Sequence, residues 1–258
     1  MFPFIGISIA NQQPSGVSYD PDALSFITAT GITDSTIKTA INDFVLSTKG
    51  TASTLGNTLW SRLVNIKPNV GGNATAHSYN LKDTTTFQEI FVGSPTHSAL
   101  GVVYNGITQY SKCGLIPNTA MSNTEAATGV YTQAGYSYIK CIIGSQSGVY
   151  WDLFGNYYQV GGAYTLGSNP SGVGGLRSVV VNGIVGYKGF VNANVDITTA
   201  IAPASLSTNE SLTGAYSPST YFAAATVSFR YDGKLSPADV IALYPIIQSF
   251  QTALSRNV

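Results

Sequence analysis

Seven carboxylates stand outside the expected N-terminal helices and the Asn80-Leu81-Lys82-Asp83 segment: Glu89, Glu125, Asp152, Asp196, Glu210, Asp232 and Asp239. Glycoside hydrolysis needs an acid and a second carboxylate across the scissile bond. A strand can build such a pair from residues i and i+2, which share a face. No strand-like run here carries two acids at that spacing, so glycosidase chemistry is not expected. A calcium site needs several clustered oxygens. Asp152 with Asn156, and Asp196 with Asn192 and Asn194, offer too few and read as turn-stabilising side chains. His77 and His97 are the only histidines, and neither has a His or Cys partner at ligand spacing. Ser98 follows His97 directly, but strand neighbours face opposite ways. Thr96, His97 and Ser98 therefore read as hydrogen-bonding residues that fix a turn. Gly161-Gly162 and Gly172-Val173-Gly174-Gly175 lack the Lys-Ser/Thr and the helix of a phosphate loop. No catalytic residue, metal ligand or cofactor is expected.

The remaining chemistry is aromatic. Trp151, Phe154, Tyr157, Tyr158 and Tyr164 gather around one expected hairpin, with Asp152 and Asn156 among them. Ring faces can stack on a sugar while the amide bonds its hydroxyls. Trp151, Asn156, Tyr157 and Tyr158 are the candidate glycan-binding residues. The structural alternative is that strand alternation sends half of these rings into the core.

Only 9% of the 258 residues are charged, with 12 basic and 12 acidic side chains and no net charge. A typical soluble protein carries about 25%. Nucleic-acid binding needs clustered Lys and Arg to neutralise phosphates, and is not expected. Zero net charge gives little protection against association and hints at assembly. Cys113 and Cys141 read as buried thiols, although a disulfide between them stays open. Met1–Ala10 is apolar but lacks the basic start of a signal peptide and is too short to span a bilayer. Its Phe2, Phe4, Ile5, Ile7 and Ile9 could form a strand on the chain's own domain, or an arm inserted into a neighbouring subunit. Asn11–Gly16 follows as a hinge-like linker.

Local signals place the elements. Asp20 and Pro21 open a helix that Gly31 ends, and Asp34 opens a second that stops at Lys49-Gly50. Ser53–Pro68 is expected to hold a third helix around Trp60. From Val70 the chain turns into short apolar or alternating runs divided by Gly, Asn, Ser and Pro, the pattern of an antiparallel sandwich, jelly roll or barrel. The strands expected include Ser78–Leu81, Phe87–Val92, Ile184–Val191 and Phe222–Tyr231. Asn182-Gly183 and Asn105-Gly106 are hairpin signals, and Gly155-Asn156 is a looser one. After the last strand, Asp232-Gly233 reads as a turn. Ser236 is an N-cap, Pro237 the first helical residue, and Asp239 an acid in the first turn. Val240, Ile241, Leu243, Tyr244, Ile247, Phe250 and Leu254 give this last helix an apolar stripe, expected to pack on an edge or rim of the sandwich.

Three segments together resemble a known group. They are Asn80-Leu81-Lys82-Asp83 with the following Phe87–Gly101 and Asn105–Tyr110, the strand–turn–helix from Phe229 to Tyr244, and the end from Phe250 to Val258. The chain from about Asp20 to Val258 resembles bacteriophage virion proteins, and phage-derived bacterial proteins, with a laminin-G-like (concanavalin A-like) jelly-roll domain. The resemblance implies a mainly β, two-sheet antiparallel jelly-roll sandwich with an N-terminal helical pair and a C-terminal helix. It also implies a structural role in the virion, an extracellular particle, and it carries over no catalytic residue. The expected organisation is an attachment arm over 1–19, a helical segment over 20–69 packed on the sandwich, and the jelly roll over 70–258. With no stalk or enzyme domain in the sequence, a compact spike, decoration or minor capsid subunit is expected. Its partners would be other virion proteins, further copies of itself and host surface glycan. A carbohydrate-binding adhesin is the alternative reading, and a glycan depolymerase the third.

Overall fold

The computed structural model describes residues 18–134, 140–145, 151–154, 157–160, 163–167, 174–181, 183–201, 203 and 205–258, with backbone alone at 157, 163, 164 and 184. Phe2, Phe4, Ile5, Ile7 and Ile9 of the expected arm lie outside them, as does Asn156.

The first two helices form where local chemistry places them. In α1 (Pro21–Thr30), the Asp20 side chain accepts from Asp22 N at 2.9 Å, and Gly31 ends the helix at φ 67°. In α2 (Ser35–Gly50), Asp34 accepts from Ile37 N at 3.0 Å. Lys49 near the end of α2 reaches back to Asp20 at 2.7 Å and Asp22 at 2.6 Å, tying the pair together. Tyr19, the last residue of the expected arm, already packs on the helical core.

After these come α3 (Leu59–Arg62), β1 (Leu63–Lys67), α4 (Ala74–Ser78), β2 (Ile90–Val92), β3 (Thr96–Ser98), β4 (Gly101–Asn105), β5 (Tyr110–Lys112), α5 (Pro117–Ala120) and β6 (Ala127–Thr132). Next are β7 (Cys141–Gly144), β8 (Trp151–Phe154), β9 (Tyr157–Val160), β10 (Ala163–Leu166), β11 (Gly175–Val181), β12 (Tyr187–Val191), β13 (Asn194–Thr199), β14 (Leu212–Thr213) and β15 (Ala224–Gly233). The closing helix is α6 (Pro237–Ala253). The strands make two antiparallel sheets. The eight-stranded sheet runs β13-β12-β11-β6-β15-β4-β3, with β1 paired to the far half of β15, and the seven-stranded sheet runs β10-β9-β8-β7-β14-β5-β2. This is the expected two-sheet antiparallel jelly-roll sandwich.

Two hydrophobic cores divide it into three layers. Between the sheets pack Val102, Val130, Ile143, Trp151, Leu153 and Tyr158, among others. The opposite face of the eight-stranded sheet carries α1, α2 and α6. There Phe44 of α2, Phe229 of β15 and Phe250 of α6 stack with centroids 5.4 to 5.7 Å apart. Each fully buried ring of this kind contributes about 1.5–3 kcal/mol by leaving water. The closing helix thus lies on a sheet face rather than on a rim, because Phe229 and Tyr231 supply an apolar floor there.

Several expectations are corrected. Leu63–Lys67 is a strand, not the end of a helix, since β15 offers it a ladder from Gly233 to Arg230. Residues through Ser78 form α4, not a strand, because Asn73 caps them by accepting from Ala76 N at 2.9 Å. Asn105-Gly106 does not close a hairpin. Asn105 Oδ1 collects the N–H groups of Ile107, Thr108 and Gln109, and the chain crosses from β4 in one sheet to β5 in the other. Between β11 and β12, Val181 pairs with Tyr187, so that connection is longer than a two-residue turn. The looser hairpin does form, with Leu153 opposite Tyr158. Asp232-Gly233 continues β15 rather than turning. Cys113 and Cys141 are buried free thiols.

Candidate functional site

Four buried charged side chains, Lys67, Glu89, Arg230 and Asp232, gather beside β15. Arg230 and Asp232, at i and i+2, face the space between the sheets. Arg230 Nε donates to Asp232 Oδ2 at 3.1 Å, Nη1 to Thr213 Oγ1 at 2.6 Å, and Nη2 to Ser211 Oγ at 2.8 Å. The Asp232 carboxylate also accepts from Asn65 Nδ2 at 2.9 Å and Thr128 Oγ1 at 2.7 Å. Beside this pair, Glu89 accepts from Ser111 Oγ at 2.6 Å and Thr213 Oγ1 at 3.3 Å, and the Tyr104 hydroxyl meets Ser111 Oγ at 2.7 Å. The Lys67 ammonium is fully buried and donates to the carbonyls of Ser78 and Phe87. Phe87 holds φ 50°, a left-handed conformation rare for an aromatic residue, while its carbonyl serves that ammonium.

Burial and pairing act against each other in this network. Burial pulls the Arg230 pKa down, but the Asp232 charge and hydrogen bond, with Glu89 and Cys113 nearby, together outweigh it and hold the guanidinium charged. Burial pushes Lys67 down, with the Glu89 charge opposing it. The Cys113 thiol is pushed up to about 11 by burial, which leaves it a poor nucleophile. The network joins β15 and β1 of one sheet to β14 and β5 of the other.

Each of the seven carboxylates weighed for chemistry has a protein partner. Beyond Glu89 and Asp232, Glu125 pairs with Arg62 at 3.1 Å, Asp196 accepts from the Tyr158 hydroxyl at 3.1 Å, and Glu210 accepts from Gly114 N. Asp239 closes a capping box with Ser236 and accepts from Ser53 Oγ at 2.9 Å and Thr54 N at 2.8 Å. Asp152 is buried and accepts from Ser145 N at 2.8 Å. Burial pushes its carboxyl up to about 8, so it carries a proton at neutral pH. Among the described residues there is no group of three or more His, Cys, Asp and Glu able to hold a metal ion.

His77 and His97 are brought together from α4 and β3, with their Nδ1 atoms 3.0 Å apart, and Phe91 stands edge-on to His97 at 4.5 Å. Ser98 does fix a turn, accepting from Leu100 N at 3.2 Å. A cleft of about 560 Å³ opens between the α1–α2 turn, Gly71-Gly72-Asn73 and Leu254-Ser255. The start of α2 on its wall is capped by the chain's own Asp34.

The residues expected to bind glycan do not gather at the surface. Trp151 is 0% exposed and Tyr158 is 3% exposed, both in the inter-sheet core, so neither ring presents a face to solvent. Alternation along β8 and β9 accounts for this. For Tyr157 the structure gives only its place in β9. Phe154, on the other face of β8, instead belongs to a ring cluster on the outer side of the seven-stranded sheet. Its partners are Tyr216 and Tyr221, each with its centroid 6.0 Å from Phe154, and these two meet edge-on at 5.8 Å and 78°. Tyr221 is 52% exposed and has φ 55°. Tyr216 and Tyr221 lie about sixty residues from the hairpin, so no local window of sequence joins them to Phe154. The one local signal is Ser217-Pro218-Ser219-Thr220, a turn-rich run between two tyrosines.

No protein-family profile matches the chain, and no curated protein does. Among solved structures, it is similar to domain 4 of AbnA, a GH43 extracellular arabinanase from Geobacillus stearothermophilus, with TM-score 0.47, 14% identity, and coverage of 71% of this chain and 98% of that one. It is similar to a mutant Trypanosoma rangeli sialidase at TM-score 0.49 and 10% identity, covering 84% of this chain and 38% of the sialidase. A third likeness is to the botulinum neurotoxin serotype D binding domain, at TM-score 0.48 and 10% identity, covering 72% of this chain and 52% of that one.

Proposed function

We propose that this chain is a non-enzymatic structural subunit of a bacteriophage particle, a compact jelly roll carried on the particle surface as a spike, decoration or minor capsid protein. One observation carries the non-catalytic part: all seven carboxylates weighed for chemistry serve as ion-pair, capping or hydrogen-bonding partners within the fold. The virion part is supported by the resemblance of the Asn80–Gly101, Phe229–Tyr244 and Phe250–Val258 segments, and by the low-charge, net-neutral composition, which gives little protection against association. Among the described residues no helix is long and apolar enough to cross a membrane. The test is to purify particles of a phage that encodes the chain and to image them with an antibody against it. Labelling of the intact particle surface is expected. Particles without the protein, or release of reducing ends from host polysaccharide by the purified chain, would overturn the reading.

A further inference from the structure

The structure assigns Tyr221 and Tyr216, seated on Phe154, as a carbohydrate-binding platform for a neutral pyranose of a surface glycan. Tyr221 at φ 55° lies where bulky side chains are outliers, and such strain persists only when surrounding structure holds it. The holding contacts are visible. Tyr221 O accepts from Cys141 N at 3.0 Å, and the next residue, Phe222, bridges to Cys141. On the other side of the loop, Gly144 leaves room for the Tyr216 backbone: a Cβ there would lie 2.5 Å from Tyr216 Cα. The loop between the tyrosines is fixed by Ser217, whose hydroxyl meets Thr220 Oγ1 at 2.7 Å and accepts from Ser219 N at 3.3 Å. Phe154 closes the floor and is itself buried. A strained, braced loop thus spends its conformational freedom on turning one tyrosine ring into solvent.

The chemistry around that ring selects the ligand. No charged residue occurs between Glu210 and Arg230 in the sequence, so the loop itself is neutral; Lys140, next to the Cys141 that holds Tyr221, is one positive charge where a phosphate backbone or a sulfated chain would need a cluster. Its rim is made of hydroxyls and Pro218: Ser219 and Thr220 are exposed beside Tyr221. An exposed ring face flanked by neutral donors and acceptors suits a pyranose, whose apolar C–H face stacks while its hydroxyls hydrogen-bond. A proline-rich peptide would need a groove between aromatic walls. Tyr216 and Tyr221 stand at 78° to each other, edge to face rather than as two parallel walls, and Tyr221 is the exposed ring of the two. The braced geometry also reduces the ordering cost of binding.

This inference rests on the reading of the chain as a non-enzymatic surface subunit only for its biological setting, and its test is independent of particles. The isolated full-length chain is applied to an array of neutral polysaccharides (glucans, mannans and galactans), with sulfated glycans and a proline-rich peptide alongside. A neutral polysaccharide is expected to bind, without being shortened. Tyr221→Ala is expected to weaken that binding about 10-fold or more, in line with the loss of an aromatic anchor. Tyr221→Gly supplies the second readout: by relieving the positive φ it should keep or raise Tm while abolishing binding. Binding of the peptide but not the glycans, wild-type glycan affinity in Tyr221→Ala, or no neutral glycan bound at all would overturn the assignment. If the glycan binds but the chain is absent from particles, the platform stands and the virion reading falls.

Discussion

Removing the Asp232 carboxylate would strand the Arg230 guanidinium between two sheets. Both side chains are buried, and Asp232 also receives Asn65 and Thr128. Breaking a buried ion pair by deleting one partner costs about 3–5 kcal/mol, because a desolvated charge is left without its counter-charge. Asp232→Ala should therefore lower the unfolding free energy by that much, read as a lower urea midpoint at unchanged m-value. Replacing the pair together, as Arg230→Met with Asp232→Leu, should cost far less than Asp232→Ala alone. Equal losses would show that the pair is not the unit of stability. The alternation of Arg230 and Asp232 with Phe229 and Tyr231 is plain in the sequence, but Asp232-Gly233 carries a turn signal. The partners that hold Asp232 in a strand lie 167 and 104 positions away, so no local window could contain them. The glycan candidates diverge for a related reason. Spacing tells which rings share a strand face, but only the second sheet tells which face is inside, and Trp151 and Tyr158 fall there.

At the scale of elements, the His77–His97 contact couples α4 to β3. With Nδ1 atoms 3.0 Å apart, one ring donates and the other accepts, so at least one of the two is neutral. Burial, then the charges of His97 and Arg256, pull the His77 pKa down to about 3, and burial lowers His97 as well. The sign follows from linkage. A histidine with a depressed folded pKa stabilises the fold above its unfolded value near 6.5, and that stability is lost as pH falls from there toward about 3. His77 alone should withdraw about 2 kcal/mol between pH 8 and pH 5, with His97 adding in the same direction. Chemical denaturation at the two pH values measures this. His77→Gln should flatten the difference, and an unchanged difference would place the sensitivity elsewhere. The two histidines are twenty residues apart, and β3 was legible only as a turn. Short edge strands such as β3, and the missed β10 and β13, form because a neighbour offers a ladder. The caps of α1, α2 and α6 were legible because each is settled within four residues.

For the whole molecule, the question is whether the apolar N-terminal segment belongs to the fold or to its attachment. The helical core is built from Ala23 onward, with Tyr19 packed on it and Asp20 N bonded to Asn42 Oδ1 at 2.8 Å. Both faces of the eight-stranded sheet are covered by described residues, one by the helices and one by the seven-stranded sheet. A chain that begins at Ser18 therefore keeps the α1 cap, the three-ring stack of Phe44, Phe229 and Phe250, and the network at Arg230. Deleting residues 1–17 should leave Tm within about 2 °C, since a loss of 1 kcal/mol shifts Tm by only about 2–4 °C in a domain of this size. The attachment reading then requires that the same deletion abolish incorporation into particles, measured by quantifying the protein in purified virions from a complemented infection. Wild-type incorporation would remove the arm from the assembly mechanism. A collapse of Tm would mean that Phe2, Phe4, Ile5, Ile7 and Ile9 complete the core instead. The two measurements separate folding from attachment because the first reads only the isolated chain and the second only its place in the particle.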